Sequence, residues 1–439
     1  MQLSNRAWFG IIAILTLLLV IALALLLTGN FPSLISLEPT STPAPPPTNT
    51  PTPAPSRTPT NTPPPADTAT PTPSPEPTGR APAASPTPVP TPLPPFPTPQ
   101  AAPEVGQRPL RIAYMSRPGA DWEIIVAEAD GSNPQNFSND PGFDAFPVWS
   151  PQGEKLAWIS DRFGAGEDPG VDVLVADLDG GNLVNLSNAP ETNDFSASWS
   201  PNGQLVAFIS TRFGDGEVFV ATLDGVAYNL SEHEATDVFF DWAPACADPA
   251  AGDGWGACRV LIGSSRGSQA QALNLFALSP DGVDFEFVSE LDLNVAEAVY
   301  SPDGAQIAYV KEDEETGALD LFVLDLDSQN ETRLTSDEAA ETSIAWSPAG
   351  GLIAYISDVD GDNDIYAVSV PEAEITNLTD SPFQEGLNGD FAWSPDGSQI
   401  LFSTDRDGSV EIYVMDADGG NPTNLTNSPE PDIEAIWLR

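Results

Sequence analysis

The sequence predicts an all-β protein, a seven-bladed β-propeller of four-stranded antiparallel blades preceded by one transmembrane helix and a disordered Pro/Thr-rich stalk. Three observations predict it. A Trp-Ser-Pro-Asp-Gly motif at Trp393–Gly397 recurs as Trp149-Ser-Pro-Gln-Gly153, Trp199-Ser-Pro-Asn-Gly203, Tyr300-Ser-Pro-Asp-Gly304 and Trp346-Ser-Pro-Ala-Gly350, with a worn copy at Trp242-Ala-Pro244. The anchors lie 43 to 58 residues apart, a blade-length period. Finally, the chain ends on a spare strand, residues 432–439, with Trp437 at the anchor position and no turn after it.

Each element follows from local chemistry. Pro fixes φ at the first corner of the motif, Asp tolerates the second, and Gly supplies the left-handed residue that closes a hairpin. Seven apolar segments read as second strands, among them Arg111–Tyr114, Leu205–Phe208 and Gln399–Phe402. Third strands such as Glu123–Val126 and Glu411–Val414 follow, often closed by Asp-Gly. Short fourth strands end in Asn-Leu-Ser or Asn-Leu-Thr. The first repeat lacks an inner strand, and residues 432–439 can supply it, removing two open sheet edges. A six-bladed ring is the alternative if the irregular fourth repeat fails to form a blade.

Ahead of the propeller, residues 1–30 hold an apolar run from Ala7 to Leu27, long enough as a helix to cross a bilayer. Arg6 on the short flank predicts a cytoplasmic N terminus and an uncleaved anchor, with a cleaved secretory signal as the competing reading. Residues 31–107 are Pro, Thr, Ala and Ser with few large apolar side chains, so nothing offsets the entropy of folding. They read as an extended stalk holding the head, residues 108–439, off the membrane. The expectation is a single-pass cell-membrane protein with a monomeric propeller outside the cytoplasm.

The formal net charge is −49, with 64 Asp and Glu against 15 Lys and Arg. No basic patch exists to neutralise phosphates, which excludes nucleic acid as a partner. Cys246 and Cys258 flank an insertion in the fourth repeat, and in an exported head they are expected to pair as a disulfide.

Two acidic sets are candidates for a site. Five residues before the anchors stand Asp144, Asp194, Asp237, Val295, Glu341, Asn388 and Asp432. The five carboxylates would ring the channel mouth and bind a cation or basic peptide, or else cap the blade-to-blade turn. Asp358, Asp360, Asp362 and Asp364 alternate in a tight loop, a spacing that suits Ca²⁺, although Asn363 stands where such a loop needs Gly. No other cofactor is implied. For catalysis, Gly263-Ser-Ser-Arg-Gly267 spells a nucleophile elbow but lies in a hairpin, and His233 is the sole histidine. Five Asn-x-Ser/Thr sequons share one register of the fourth strand and read as repeat consensus.

The motif Trp-Ser-Pro-Asp-Gly-x-x-Ile-Ala-Phe/Tyr, followed by Ser-Asp-x-Asp-Gly and Ile-Tyr, resembles the WD-repeat-like propeller repeats of the TolB family over residues 108–439. The resemblance implies a non-enzymatic propeller that binds a protein or peptide. The expected function is therefore a membrane-anchored binding or scaffold module taking a protein, peptide or glycan on its loop face. The alternative is a metal-dependent lyase or hydrolase with its site in the propeller mouth.

Overall fold

The computed structural model describes residues 109–439, apart from short loop stretches at 120, 165–169, 190–191, 215, 233–234, 248–257, 267–271, 281, 283, 289–293, 314–316, 388–389 and 439. The anchor and stalk expected over residues 1–107 lie outside the described residues. Among the described residues, no helix is long and apolar enough to cross a membrane.

Seven four-stranded antiparallel sheets form the blades. Blade 1 takes its inner strand, Asp432–Trp437, from the end of the chain and continues with Arg111–Ser116, Glu123–Glu128 and Gln135–Asn136. The inner strands of blades 2 to 7 are Asp144–Trp149, Asp194–Trp199, Asp237–Trp242, Val295–Tyr300, Thr342–Trp346 and Phe391–Trp393. Ring closure is by antiparallel pairing of the terminal strand with Arg111–Ser116, Ile112 opposite Trp437 and Ser116 opposite Asp432. The fourth repeat does form a full blade, with Val260–Ser264, Asn274–Leu278 and Phe285–Phe287 completing its sheet, so the six-bladed alternative falls.

The motif works as a hairpin with one addition that the sequence left unstated. Gly397 sits at φ +71° and donates its N–H to the Ser394 carbonyl at 2.8 Å. The buried Ser394 hydroxyl accepts the Gln399 N–H at 2.9 Å and donates to Asp396 at 2.8 Å. The Ser of the motif thus clamps both ends of the turn.

Second and third strands are buried almost throughout, as in Leu205–Ser210, because blades cover both faces of each sheet. The core lies between blades. One cluster joins Val173, Val175 and Leu186 of blade 2 to Trp199, Val206, Phe208 and Phe219 of blade 3. Another joins Ile112, Tyr114 and Trp437 of blade 1 to Leu401, Ile412 and Val414 of blade 7. The anchor indoles stitch the same seams. Trp199 donates to the Val148 carbonyl at 3.1 Å, Trp242 to Ser198 at 3.3 Å, Trp393 to Ala345 at 3.3 Å and Trp437 to Ala392 at 3.2 Å.

Candidate functional site

Antiparallel order puts the loops between second and third strands, and those between successive blades, on one end of the ring. The carboxylates five residues before the anchors begin the inner strands at this end. They do not stand open at a mouth: Asp144, Asp194, Asp237 and Glu341 are wholly buried and Asp432 is 1% exposed. Three of them meet an arginine that follows the neighbouring second strand. Arg162 contacts both oxygens of Asp144 at 2.9 and 3.1 Å, Arg212 reaches Asp194 at 3.3 Å and Arg266 reaches Asp237 at 2.8 Å. In blade 7 the same role falls to Glu385, which Arg406 meets at 2.7 Å. The arginines also lean back on the preceding blade: Arg162 donates to the Ser138 carbonyl and Arg212 to that of Ser187. The set is an inter-blade latch.

Two members lack the cation. Blade 6 has Val359 where the arginine would stand, and Glu341 accepts from Thr335 at 2.7 Å and Ser357 at 3.3 Å instead. Burial raises its pKa to about 7, with the charges of Asp337 and Asp320 adding. Burial likewise raises Asp432 to about 6, helped by Glu411 and Glu430.

The sequon register is structural too. The Ser or Thr hydroxyl accepts a third-strand N–H, as from Val173 to Ser187 and Ile365 to Thr379, both at 3.0 Å. The Asn side chain caps the following turn, Asn185 accepting from Asn188 at 2.7 Å and Asn377 from Asp380 at 2.9 Å.

Of the alternating acids, Asp364 is buried and accepts from Asn377 at 2.8 Å and Thr379 at 2.6 Å, while Asp358 and Asp360 are exposed. Asp362 is half-buried. Among the described residues, no group of three or more acids, histidines or cysteines gathers in a way that could hold a metal ion. Cys246 and Cys258 form a disulfide with their Cα atoms 4.2 Å apart. The Gly263–Arg266 stretch ends a strand, and its Ser265 hydroxyl accepts the Thr236 N–H at 3.1 Å, a hairpin rather than a strand-to-helix elbow. His233 lies outside the described residues.

Sequence reasoning missed two features. The first is a set of carboxylates that reach from one blade to the backbone of the next blade's inner strand. Glu297 of blade 5 accepts the N–H groups of Ser343 and Ile344 in blade 6 at 2.9 and 3.0 Å. Asp390 accepts those of Glu434 and Ala435 in blade 1. Burial raises Glu297 and Asp390 to about 7 and Glu434 well above the carboxylate range, the last also repelled by Asp390. Glu297 and Glu434 are half-buried.

The second is aromatic. Phe163 and Phe213 immediately follow the latched Arg162 and Arg212, and are 47% and 67% exposed on the loop end of adjacent blades. Phe213 stacks on Phe219 with centroids 6.2 Å apart, and Arg212 lies over the same Phe219 ring at 4.2 Å. The buried ion pair therefore fixes the loop that presents each ring. Beside them stand Asp121, Asp140 and Asp161, the last raised by burial and by the charges of the other two. Arg162, next to Phe163, is paired with Asp144.

Comparison with known proteins bears on the repeat. Residues 282–385 match the TolB beta propeller domain. The Tol-Pal system protein TolB of Methylobacillus flagellatus is 44% identical over 57 residues, 13% of this chain and 13% of that protein. The uncharacterized peptidase YuxL of Bacillus subtilis is 32% identical over 96 residues, 21% of this chain and 15% of that protein. The chain thus matches about one-seventh of the length of these curated relatives. The β-propeller domain of the Trilobed protease from Pyrococcus furiosus superimposes with a TM-score of 0.54 at 13% identity, over 76% of this chain and 96% of that domain. That likeness speaks to the fold. Residues 282–385 of this chain thus carry the TolB beta propeller repeat, within a seven-bladed ring of like blades.

Proposed function

We propose that this propeller is a non-catalytic binding module, held outside the cytoplasm by its N-terminal segment, that takes a partner polypeptide on the loop end of blades 1 to 3. The observation that carries the reading is the pair Phe163 and Phe213, exposed on loops latched by buried ion pairs, with Asp161 two residues from the first ring and Asp121 and Asp140 close to Asp161. Rigid aromatic rings offer large contact area at small entropic cost, and they are enriched where interfaces have their strongest contacts. Asp121, Asp140 and Asp161 select basic side chains and steer their approach. The partner is therefore a protein segment with lysine or arginine next to apolar residues. The TolB-like repeat supports a protein-binding role.

The test is capture by the full-length chain in membranes, with and without the double substitution Phe163→Ala and Phe213→Ala. Loss of each hot-spot ring costs about 2 kcal/mol, so the double variant should retain only a few per cent of the captured partner. Capture should also weaken as salt rises from low to physiological. A partner held equally by the double variant, or turnover of a sugar-acid or peptide substrate by the purified chain, would overturn the reading.

A further inference from the structure

The inner strands share a backbone irregularity. In blades 1, 2, 3 and 6, two residues of the inner strand face one residue of the second strand, a β-bulge. The first bulged residue is left-handed each time: Glu434 at φ +56°, Phe146 at +52°, Ser196 at +56° and Ser343 at +55°. Such a residue turns its own N–H and the next one to the same side, making a concavity that suits an anion.

The chain itself shows what these concavities take. In blade 6, the Ser343 and Ile344 N–H groups donate to the two oxygens of Glu297. In blade 1, those of Glu434 and Ala435 donate to Asp390. Both acids come from one position, two residues after the start of the preceding inner strand's register: Glu297 after Val295, Asp390 after Asn388. Blade 2 has no pair to offer, since Phe146 donates to the Met115 sulfur at 3.3 Å and Pro147 has no N–H. Blade 3 has the pair and no acceptor. The supplying position in blade 2 is Phe146; Ser196 and Ala197 fall in the register gap of their strand, and among the described residues no side chain or loop carbonyl accepts from them. Ser196 is exposed, so the concavity is open to solvent.

We infer that the Ser196–Ala197 amide pair is a binding site for a carboxylate that comes from outside the chain. The surroundings permit it. The carboxylates that begin this inner strand and the one before it, Asp194 and Asp144, are buried and paired with Arg212 and Arg162, so neither repels an anion there. The position from which an internal acid would reach these amides is held by the apolar Phe146. The overall charge of −49 opposes multiply charged anions, which limits the class to single carboxylates: a small organic acid, or the C terminus of a peptide. This site stands apart from the loop-end aromatic surface and does not depend on it.

The test follows the backbone amides of the ¹⁵N-labelled full-length chain in detergent during titration with sodium acetate against sodium chloride at equal ionic strength. Acetate should shift Ser196 and Ala197 in a saturable way and leave Ser343 and Ile344, already occupied by Glu297, in place. Phe146→Glu would supply an internal carboxylate as Glu297 does, and acetate affinity should fall about tenfold or more, the equivalent of one charge-assisted hydrogen bond. A short apolar peptide with a free C terminus, compared with its amide, identifies the source. Response to the free peptide alone points to a polypeptide C terminus, and response to acetate alone to a small acid; either supports the site. Unmoved Ser196 and Ala197 amides with both probes would overturn it, as would shifts equal at all four amides or unchanged by Phe146→Glu.

Discussion

Replacing Arg162 with alanine tests the idea that arginine in this ring neutralises buried carboxylates. Asp144 is wholly buried and receives Arg162 at 2.9 and 3.1 Å and the Trp158 indole at 2.8 Å. Arg162 also donates to the Ser160 hydroxyl at 3.1 Å and the Ser138 carbonyl at 3.3 Å, so its loss opens the seam to blade 1 as well. Removing one partner of a buried pair costs about 3–5 kcal/mol, because the remaining charge stays desolvated. An exposed pair would cost at most about 1 kcal/mol, and this arginine side chain is only 11% exposed. Burial already raises the Asp144 pKa, and without the guanidinium it rises further. A carboxyl raised in the folded state favours folding while protonated and loses that favour as pH climbs through its folded value. The deficit of Arg162→Ala should therefore be largest at neutral pH and shrink towards pH 4. Thermal unfolding of both chains across this range reads it directly. Asp144→Asn in the same background should recover a large share of the loss, since no charge is left to bury. A deficit below about 1 kcal/mol at pH 7, one independent of pH, or strict additivity of the two substitutions would refute the latch.

Other consequences are quick to check. Glu341, Glu297 and Asp390 are raised to about 7 and Asp432 to about 6, so wild-type stability should fall as pH rises from 5 to 8; Glu341→Gln should flatten part of that slope in a plot of melting midpoint against pH. Trp393→Phe removes the 3.3 Å bond to the Ala345 carbonyl across the blade 6–7 seam and should cost about 1 kcal/mol or a little more in urea unfolding. Gly397→Ala meets only ordinary contacts, the nearest at 3.5 Å, so its cost should be that of φ +71°, about 1–2 kcal/mol by the same measurement. Because Asp358, Asp360, Asp362 and Asp364 gather into no metal-holding group, a chelator should leave the melting midpoint unchanged.

The ring itself was legible because it is written locally and often. A Ser-Pro-Asp-Gly turn needs only its own four residues, and the spare Trp437 strand could be matched to the missing inner strand by count alone. The acids were harder. Their residue type and register were visible, but exposure depends on the arginine of the following hairpin, and the spacing from acid to arginine varies. It is 18 residues from Asp144 to Arg162, yet 29 from Asp237 to Arg266 and 21 from Glu385 to Arg406. In blade 7 the acid also sits earlier than the register implied, at Glu385 rather than at position 388. The Ser-x-Arg triplets at Ser160–Arg162, Ser210–Arg212 and Ser264–Arg266 were the available signal. The bulges gave none, for phenylalanine, serine and glutamate are residues that disfavour a positive φ, and only the packing of neighbouring blades imposes it.

How the ring spends its few cations bears on what it can bind. Arg162, Arg212, Arg266 and Arg406 are each largely buried against a carboxylate, and Lys155 and Lys311 are paired with Asp177 and Glu331. Among the described residues, Asp121, Asp140 and Asp161 gather at the loop end, so a partner drawn to them by charge is basic. An anion, by contrast, finds these side chains already paired, and backbone N–H groups offer another way to hold it. The bulged inner strands are where backbone offers two N–H groups together, and two of the occupied ones hold carboxylates from the chain itself. With Phe146 where Glu297 and Asp390 stand in their blades, the Ser196 and Ala197 N–H groups lack the internal carboxylate that Ser343 and Ile344 receive, which is what leaves them for a carboxylate from outside.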